Sequence, residues 1–182
     1  MQKRILTIAF SVLTFGQVIA QKPEKAVKKL GANPVFMLDS TQVNQSALNG
    51  IDPNTIAIVN MFYDKEAVDL LGEKAKDGAV YMETKGFARS RFIRFFRSYS
   101  ASYDSLIAKI GSDKDFQYIL NDKIQEENYE GNLALVDNDN ILGLEVIDAT
   151  QLKNKYNITN KLVGIAVKSK RPKDLYHGKK KF

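Results

Sequence analysis

Few residues in this chain have the types and spacing that chemistry needs. Its 182 residues include one histidine, His177, and no cysteine. Thiolate nucleophiles, thiolate metal sites and redox motifs are therefore excluded, and a Ser-His-Asp triad or a multi-histidine metal site lacks its parts. Asp137-Asn138-Asp139-Asn140 clusters oxygen ligands in a way that suits calcium. An EF-hand loop, however, needs oxygens at positions 1, 3 and 5, glycine at 6 and glutamate at 12. Counted from Asp137, those later positions hold Ile141, Leu142 and Asp148, so the run reads as a polar turn. Glu126, Glu127 and Glu130 form an acidic cluster that could hold a general acid, but acids of this kind mostly belong to solvated surface. Tyr99, Tyr103 and Tyr118 could stack on a sugar, or pack in a core or an interface. No glycine-rich nucleotide signature is present. The sequence predicts no enzyme, no catalytic residue, no metal and no cofactor.

The densest functional pattern lies in GFARSRFIRFFRSYSASY. Ala88, Phe92, Phe95, Phe96, Tyr99 and Tyr103 recur at helical spacing, and Arg91, Arg94 and Arg97 recur on another side. This is an amphipathic helix with an aromatic stripe and an arginine stripe, continuing through Tyr103 to Ile110 and stopped by Gly111. It could lie on an anionic surface. The commoner arrangement packs the aromatics on a sheet and leaves the arginines in water. Arg91, Arg94 and Arg97, with Lys179, Lys180 and Lys181 of the tail, are the candidate contacts to an anionic surface. The tail from Lys168 to Phe182 carries seven Lys/Arg and one acid. It reads as a solvated, disordered segment, worth roughly 1 kcal/mol per basic residue near an anionic membrane.

The first twenty residues have the form of a cleaved secretory signal: Lys3 and Arg4, the apolar run Ile5 to Phe15, and Val18 and Ala20 before Gln21. An uncleaved anchor is the alternative, but a spanning helix needs ~20 apolar residues. Removing this segment takes away two of the 27 basic residues and none of the 21 acids, leaving +4, most of it in the tail. Such a balance does not favour nucleic acid.

Between signal and tail the chain alternates strand and helix signals. Residues 21–33 are a lysine-rich lead-in. Pro34 opens the apolar strand PVFMLD, and Gln45 to Asn49 suits one helical turn. Asp52-Pro53-Asn54 is a turn signature. Thr55 to Tyr63 is β-branched and aromatic, hence a strand. Asp64 is the expected N-cap of a helix that Gly72 stops. Asp77-Gly78 turns into a strand over Ala79 to Thr84. After the amphipathic helix, strands are predicted at Phe116 to Leu120, Asn132 to Val136, Ile141 to Ile147 and Leu162 to Val167, with a helix from Ala149 to Lys155. Residues 51–85 align with 136–170 at an offset of 85 without a gap, and FMLD at 36–39 meets YILN at 118–121 at an offset of 82. Asp52 meets Asp137, Ile56 meets Ile141 and Lys85 meets Lys170. Identities are too few to decide, but strands, helix and turns coincide, so an internal duplication competes with chance.

The first half resembles the core of the plug domain of TonB-dependent outer-membrane receptors of Bacteroidetes type. Phe36 to Asp39 matches that family's first strand, and Ile51, Pro53 and Ile56 match its "I-x-P-x-x-I" turn. Leu70-Leu71-Gly72 stands for Leu-Tyr-Gly. Ala75, Gly78, Ala79, Val80, Met82, Thr84 and Lys85 match its closing strand. The match covers about 50 of the 182 residues. Ser40 replaces the glycine of the family's Asp-Gly, and a receptor barrel of on the order of 22 strands has no counterpart here. The resemblance implies a free-standing plug-like module rather than a transporter. The expected fold class is α+β. Plug-like β-α-β-α-β units with mixed sheets, residues 34–86 and, if duplicated, 112–170, are joined by the amphipathic helix at 87–111 and followed by the basic tail at 171–182. The expected function is a non-enzymatic interaction module in the periplasm or at the outer membrane, with an envelope protein as partner and peripheral contact with anionic lipid. A soluble binding protein for a small ligand or glycan is the alternative.

Overall fold

Two sheets of the same design follow one another along the chain. A computed structural model describes residues 30–171; the signal segment, most of the lead-in and the tail from residue 172 lie outside the described residues. In the first unit β1 (Val35–Leu38), β2 (Thr41–Val43), β3 (Ile56–Phe62) and β4 (Ala79–Thr84) form a sheet of order β2-β1-β4-β3. In the second, β5 (Phe116–Leu120), β6 (Lys123–Ile124), β7 (Ile141–Asp148) and β8 (Val163–Ser169) take the order β6-β5-β8-β7. In each unit the first two strands are antiparallel, the central pair is parallel and the last pair is antiparallel. The fold is α+β, with two four-stranded mixed sheets.

The two offsets recur in the hydrogen bonding, so the likeness extends beyond strand order. Ile56 pairs with Thr84 across a bulge before Ile58, and Ile141 pairs with Ser169 across a bulge before Gly143. Each of these positions is displaced by 85. The β1–β2 and β5–β6 hairpins close on two residues with positive φ, Asp39-Ser40 (50° and 68°) and Asn121-Asp122 (51° and 63°). Left-handed residues at both positions give a turn whose twist matches the strands. In each hairpin the first turn residue reaches the end of the parallel neighbour. Asp39 Oδ1 accepts from the Thr84 amide at 2.7 Å, and Asn121 Oδ1 accepts from the Ser169 amide at 3.0 Å. These positions are 82 and 85 apart, the offsets of the sequence alignment. Short polar side chains serve here because an aspartate or asparagine tolerates left-handed backbone and carries an acceptor oxygen.

A single helical turn, α1 (Gln45–Leu48), follows β2, as expected; helices α2 (Asp64–Leu71) and α6 (Ala149–Tyr156) connect the antiparallel pairs at equivalent places. Both end on positive-φ backbone: Gly72 (φ 79°) in an extended conformation open to glycine, and Asn157 (φ 57°) in the left-handed helical one. Their packing is compensated. Ala67 of α2 faces a layer that includes Ala79, whereas its counterpart Leu152 is buried against Gly164, the counterpart of Ala79. The larger side chain on the helix is matched by a smaller one on the strand, which makes room for part of it in a close-packed interior. The cap differs from the sequence expectation. Tyr63, not Asp64, is the N-cap of α2, with Asp64 in the first turn at φ 46°. In the second unit Asp148 caps α6 in a full capping box with Gln151.

Between the units run α3 (Lys85–Tyr99) and α4 (Ala101–Ile110). The expected single helix is interrupted at Ser100, whose hydroxyl accepts from the Tyr103 amide and caps α4. A serine there offers the backbone an alternative to continuing the helix. Phe92, Phe96, Tyr103 and Ile107 pack on Phe116, Tyr118, Leu120, Ile165 and Val167, one face of the second sheet. Phe92 and Tyr118 meet edge-on with ring centres 5.4 Å apart, a favoured aromatic geometry. The opposite face carries Ile119 and Ile147 under Leu152 of α6.

The expected strand at Asn132 to Val136 is instead part of a short helix, α5 (Glu130–Ala134). The topology requires this. β6 and β7 lie at opposite edges, so residues 125–140 must cross a face of the sheet, and Leu133, Ala134 and Val136 are buried in doing so. A helix satisfies its own backbone over an apolar face, which a lone extended crossing cannot. α5 also binds the units together: a Cβ on Gly131 would lie 2.4 Å from the Ala57 carbonyl oxygen of β3. Only glycine permits that approach. Among the described residues no helix is long and apolar enough to cross a membrane.

Candidate functional site

The arginine stripe is only partly free. Arg91 holds Glu83 of β4 with two nitrogens at 3.1 and 2.9 Å, and Arg97 holds Asp104 of α4 at 2.6 Å. Arg94 is exposed, with no ion-pair partner among the described residues. Two of the three guanidiniums are thus balanced by carboxylates, which weakens the stripe's attraction for an anionic surface. Lys179, Lys180 and Lys181 lie outside the described residues.

The acidic candidates do not converge. Asp137 Oδ1 accepts from the Asp139 and Asn140 amides at 3.0 and 3.1 Å, and buried Asn140 donates to the Leu135 carbonyl at 2.8 Å. The Asp-Asn run is therefore a turn whose oxygens are engaged by its own backbone. Asp52 makes the equivalent bond to the Asn54 amide in the first unit. Glu126 and Glu127 are exposed, while one carboxylate oxygen of Glu130 is buried without a hydrogen-bond partner among the described residues.

Tyr103 and Tyr118 belong to a buried polar network, which removes them as sugar platforms; Tyr99 stays exposed. Their hydroxyls are 2.8 Å apart, and Tyr118 donates to Asp113 Oδ2 at 2.8 Å. Asp113 Oδ1 accepts from Arg89 at 2.8 Å, and Arg89 also donates to the Tyr129 hydroxyl at 2.9 Å. The Asp113 side chain is 5% exposed and that of Arg89 28%. Burial opposes the Arg89 charge, but Tyr129 and Asp113 outweigh it and hold the guanidinium above its ordinary value. Burial pushes Tyr103 up to about 12, against the opposing effect of its hydrogen bond with Tyr118, and burial pushes Tyr118 up as well. The network joins α3, α4, β5 and the start of α5. The tyrosine hydroxyls, the Asp113 carboxylate and Arg89 bond one another across these elements, which fixes the helical layer on the sheet. Arg89 and Asp113 are absent from the sequence-based candidates.

The remaining feature is an edge. β7 is the outer strand of its sheet, and beside it the sheet face and α6 leave an open groove of about 350 Å³. Ile147, Ala166 and Tyr156 supply apolar surface, and Glu145, Gln151 and Lys155 supply polar groups. Lys155 lies 5.3 Å from the ring centre of Tyr156 and 3.8 Å from Asp122.

No family model, no curated protein and no solved structure matches this chain. Its function is therefore read from its own geometry. The sequence marks β7 as a strand but not as an exposed edge, because edge position depends on the order of strands in the sheet.

Proposed function

We propose that this protein is a non-enzymatic interaction module, resembling a receptor plug domain, that works in the periplasm or at the outer membrane and docks on an envelope protein. The observation that carries this reading is the open edge of β7 beside its groove. An unpaired strand edge presents a row of backbone donors and acceptors, which natural proteins normally cover or blunt unless a partner uses it. The buried Arg89–Asp113–tyrosine network supports it too, since a rigid scaffold keeps an edge ready for docking. The export-type N-terminus supplies the compartment, and the residues around Ile51–Lys85 supply the likeness to a plug. Peripheral attraction to anionic lipid through Arg94 and the basic tail is an auxiliary contact in this reading.

The experiment is purification of the full chain from detergent-extracted envelopes under mild salt. Elution in a stoichiometric assembly with an envelope protein supports the reading. Elution as a free chain at every salt and detergent tested contradicts it. The groove also favours a second reading, a small ligand or glycan held against Tyr156, because its volume lies within the range of ligand sites. A thermal shift with a glycan panel, abolished by Tyr156→Ala, would support that alternative.

A further inference from the structure

The two units do not treat their outer strands alike. β3 and β7 occupy the same place in their sheets. The β3 edge is met at Ala57 by Gly131 of α5. The counterpart of Ala57 at the 85-residue offset is Leu142, which is 59% exposed. Among the described residues, one copy of the edge is therefore partly closed by the chain itself, and the other is left open.

The β7 edge is also only lightly protected. It is eight residues long and contains neither lysine nor proline. Its one bulge lies between Ile141 and Gly143, so the stretch from Leu144 to Asp148 pairs regularly with β8. Short length, bulges, proline and inward charges are the devices that keep edges from pairing; β7 has a terminal bulge and one charge, Glu145, facing the groove. The charges on the strand are Glu145 and Asp148. The Asp148 carboxylate is used, accepting from the Gln151 amide at 2.8 Å. Glu145 is exposed and makes no ion pair within contact distance among the described residues. The Lys155 ammonium shares its groove and attracts it from farther off, while itself pairing with Asp122 at 3.8 Å.

We propose that β7 receives an extended segment of a partner protein as a fifth strand, and that this segment is apolar but for one basic residue, which faces Glu145. The inference rests on the interaction-module reading and names the partner's chemistry. Strand addition supplies backbone bonds, and alternate side chains of the guest enter the groove. Glu145 selects a lysine or arginine across the strands, because opposite charges at facing positions stabilise and like charges destabilise. Ile147, two residues on and on the same face, selects an apolar side chain two places from the basic one. A second copy of this chain is the poorer occupant, because β7 against β7 sets an acidic strand against an acidic strand.

The test uses the full chain and a fluorescent octapeptide of valine and threonine with one central lysine, read by anisotropy. It should bind roughly fivefold or more tightly than its analogue with glutamate at that position, with the preference shrinking as salt rises. Two further versions carry N-methyl groups on alternate amides in opposite phases. One phase should abolish binding and the other retain it, because only one set of amides faces β7. Glu145→Lys should reverse the preference towards the glutamate peptide. Equal binding of both peptides, indifference to both methylation phases, or an unchanged preference in Glu145→Lys overturns the proposal. So does a concentration-dependent dimer that the peptide competes away, or peptide binding that appears only after removal of residues 172–182. A chain that enters an envelope assembly but ignores the peptides loses this inference alone. A chain that binds the peptides but retrieves nothing from the envelope loses the broader reading alone.

Discussion

The compensated packing of Leu152 on Gly164 makes a quantitative prediction. A methyl added at Gly164 would lie 2.6 Å from Leu152 Cδ2 and 2.7 Å from Ile147 Cγ1. These distances are well inside contact, and Ile147 and Leu152 are both buried. Overpacking of this kind costs about 1–3 kcal/mol, offset in part by about 0.5–1 kcal/mol gained by replacing glycine within a strand. Leu152→Ala empties the other side of the same contact and should cost about 2–5 kcal/mol. In the double variant the new methyl enters space that Leu152 has left, as Ala79 lies opposite Ala67 in the first unit. The clash with Ile147 persists, so relief is partial. The double variant should lose at least about 1 kcal/mol less than the sum of the singles, within the range measured for residues in contact. The backbone contribution of Gly164→Ala cancels in the cycle. Urea unfolding with unchanged m-values is the assay. Additivity within about 0.5 kcal/mol would refute the packing argument.

Three further predictions follow from the network and the turns. Arg89→Ala should destabilise by about 3–5 kcal/mol, because it leaves the Asp113 charge buried without its partner. Asp113→Ala should cost less, since Arg89 retains access to solvent; chemical denaturation of the two variants checks the order. The tyrosines set an alkaline limit. Tyr103 titrates at about 12 in the folded chain and near 10 when unfolded, so its contribution is complete below pH ~10 and declines as pH rises toward 12. Tyr118 is raised in the same direction. Unfolding free energy measured across this range should fall, and Tyr103→Phe should flatten the fall. Ser40 takes φ 68°, a conformation that costs an ordinary residue about 1 kcal/mol or more. Ser40→Gly should therefore raise the urea midpoint.

The order of strands and helices in both units is legible because its determinants are local. Asp52-Pro53-Asn54 and Asp77-Gly78 mark turns, Gly72 ends a helix, and apolar, β-branched runs mark strands. The hairpin turns at Asp39-Ser40 and Asn121-Asp122 are seen only in the structure, because their left-handed backbone falls on residues other than glycine. Asn132 to Val136 was misread because a short apolar run has no periodicity that separates a strand from a buried helix; the need to cross the sheet decides it, and strand order is not a local property. The break at Ser100 is visible as a capping residue once the helix is expected to end. Arg89 lies three and seven residues before Phe92 and Phe96, on the aromatic side of α3. A charge on a buried face is a signal for a buried partner, though Asp113 can be named only from the structure. The open edge of β7 has no sequence signature beyond the absence of lysine and proline.

The central claim is that partners dock at β7. A photo-crosslinking residue in place of Leu142 in the full chain, expressed and exported in cells, tests it most directly, with the same residue in place of exposed Leu70 on α2 as the control. The account predicts an adduct from position 142 to an extended, apolar segment with one basic residue in an envelope protein, identified by mass spectrometry, and no such adduct from position 70. Adducts from position 70 alone, or adducts from 142 only to a second copy of the same chain, would contradict it.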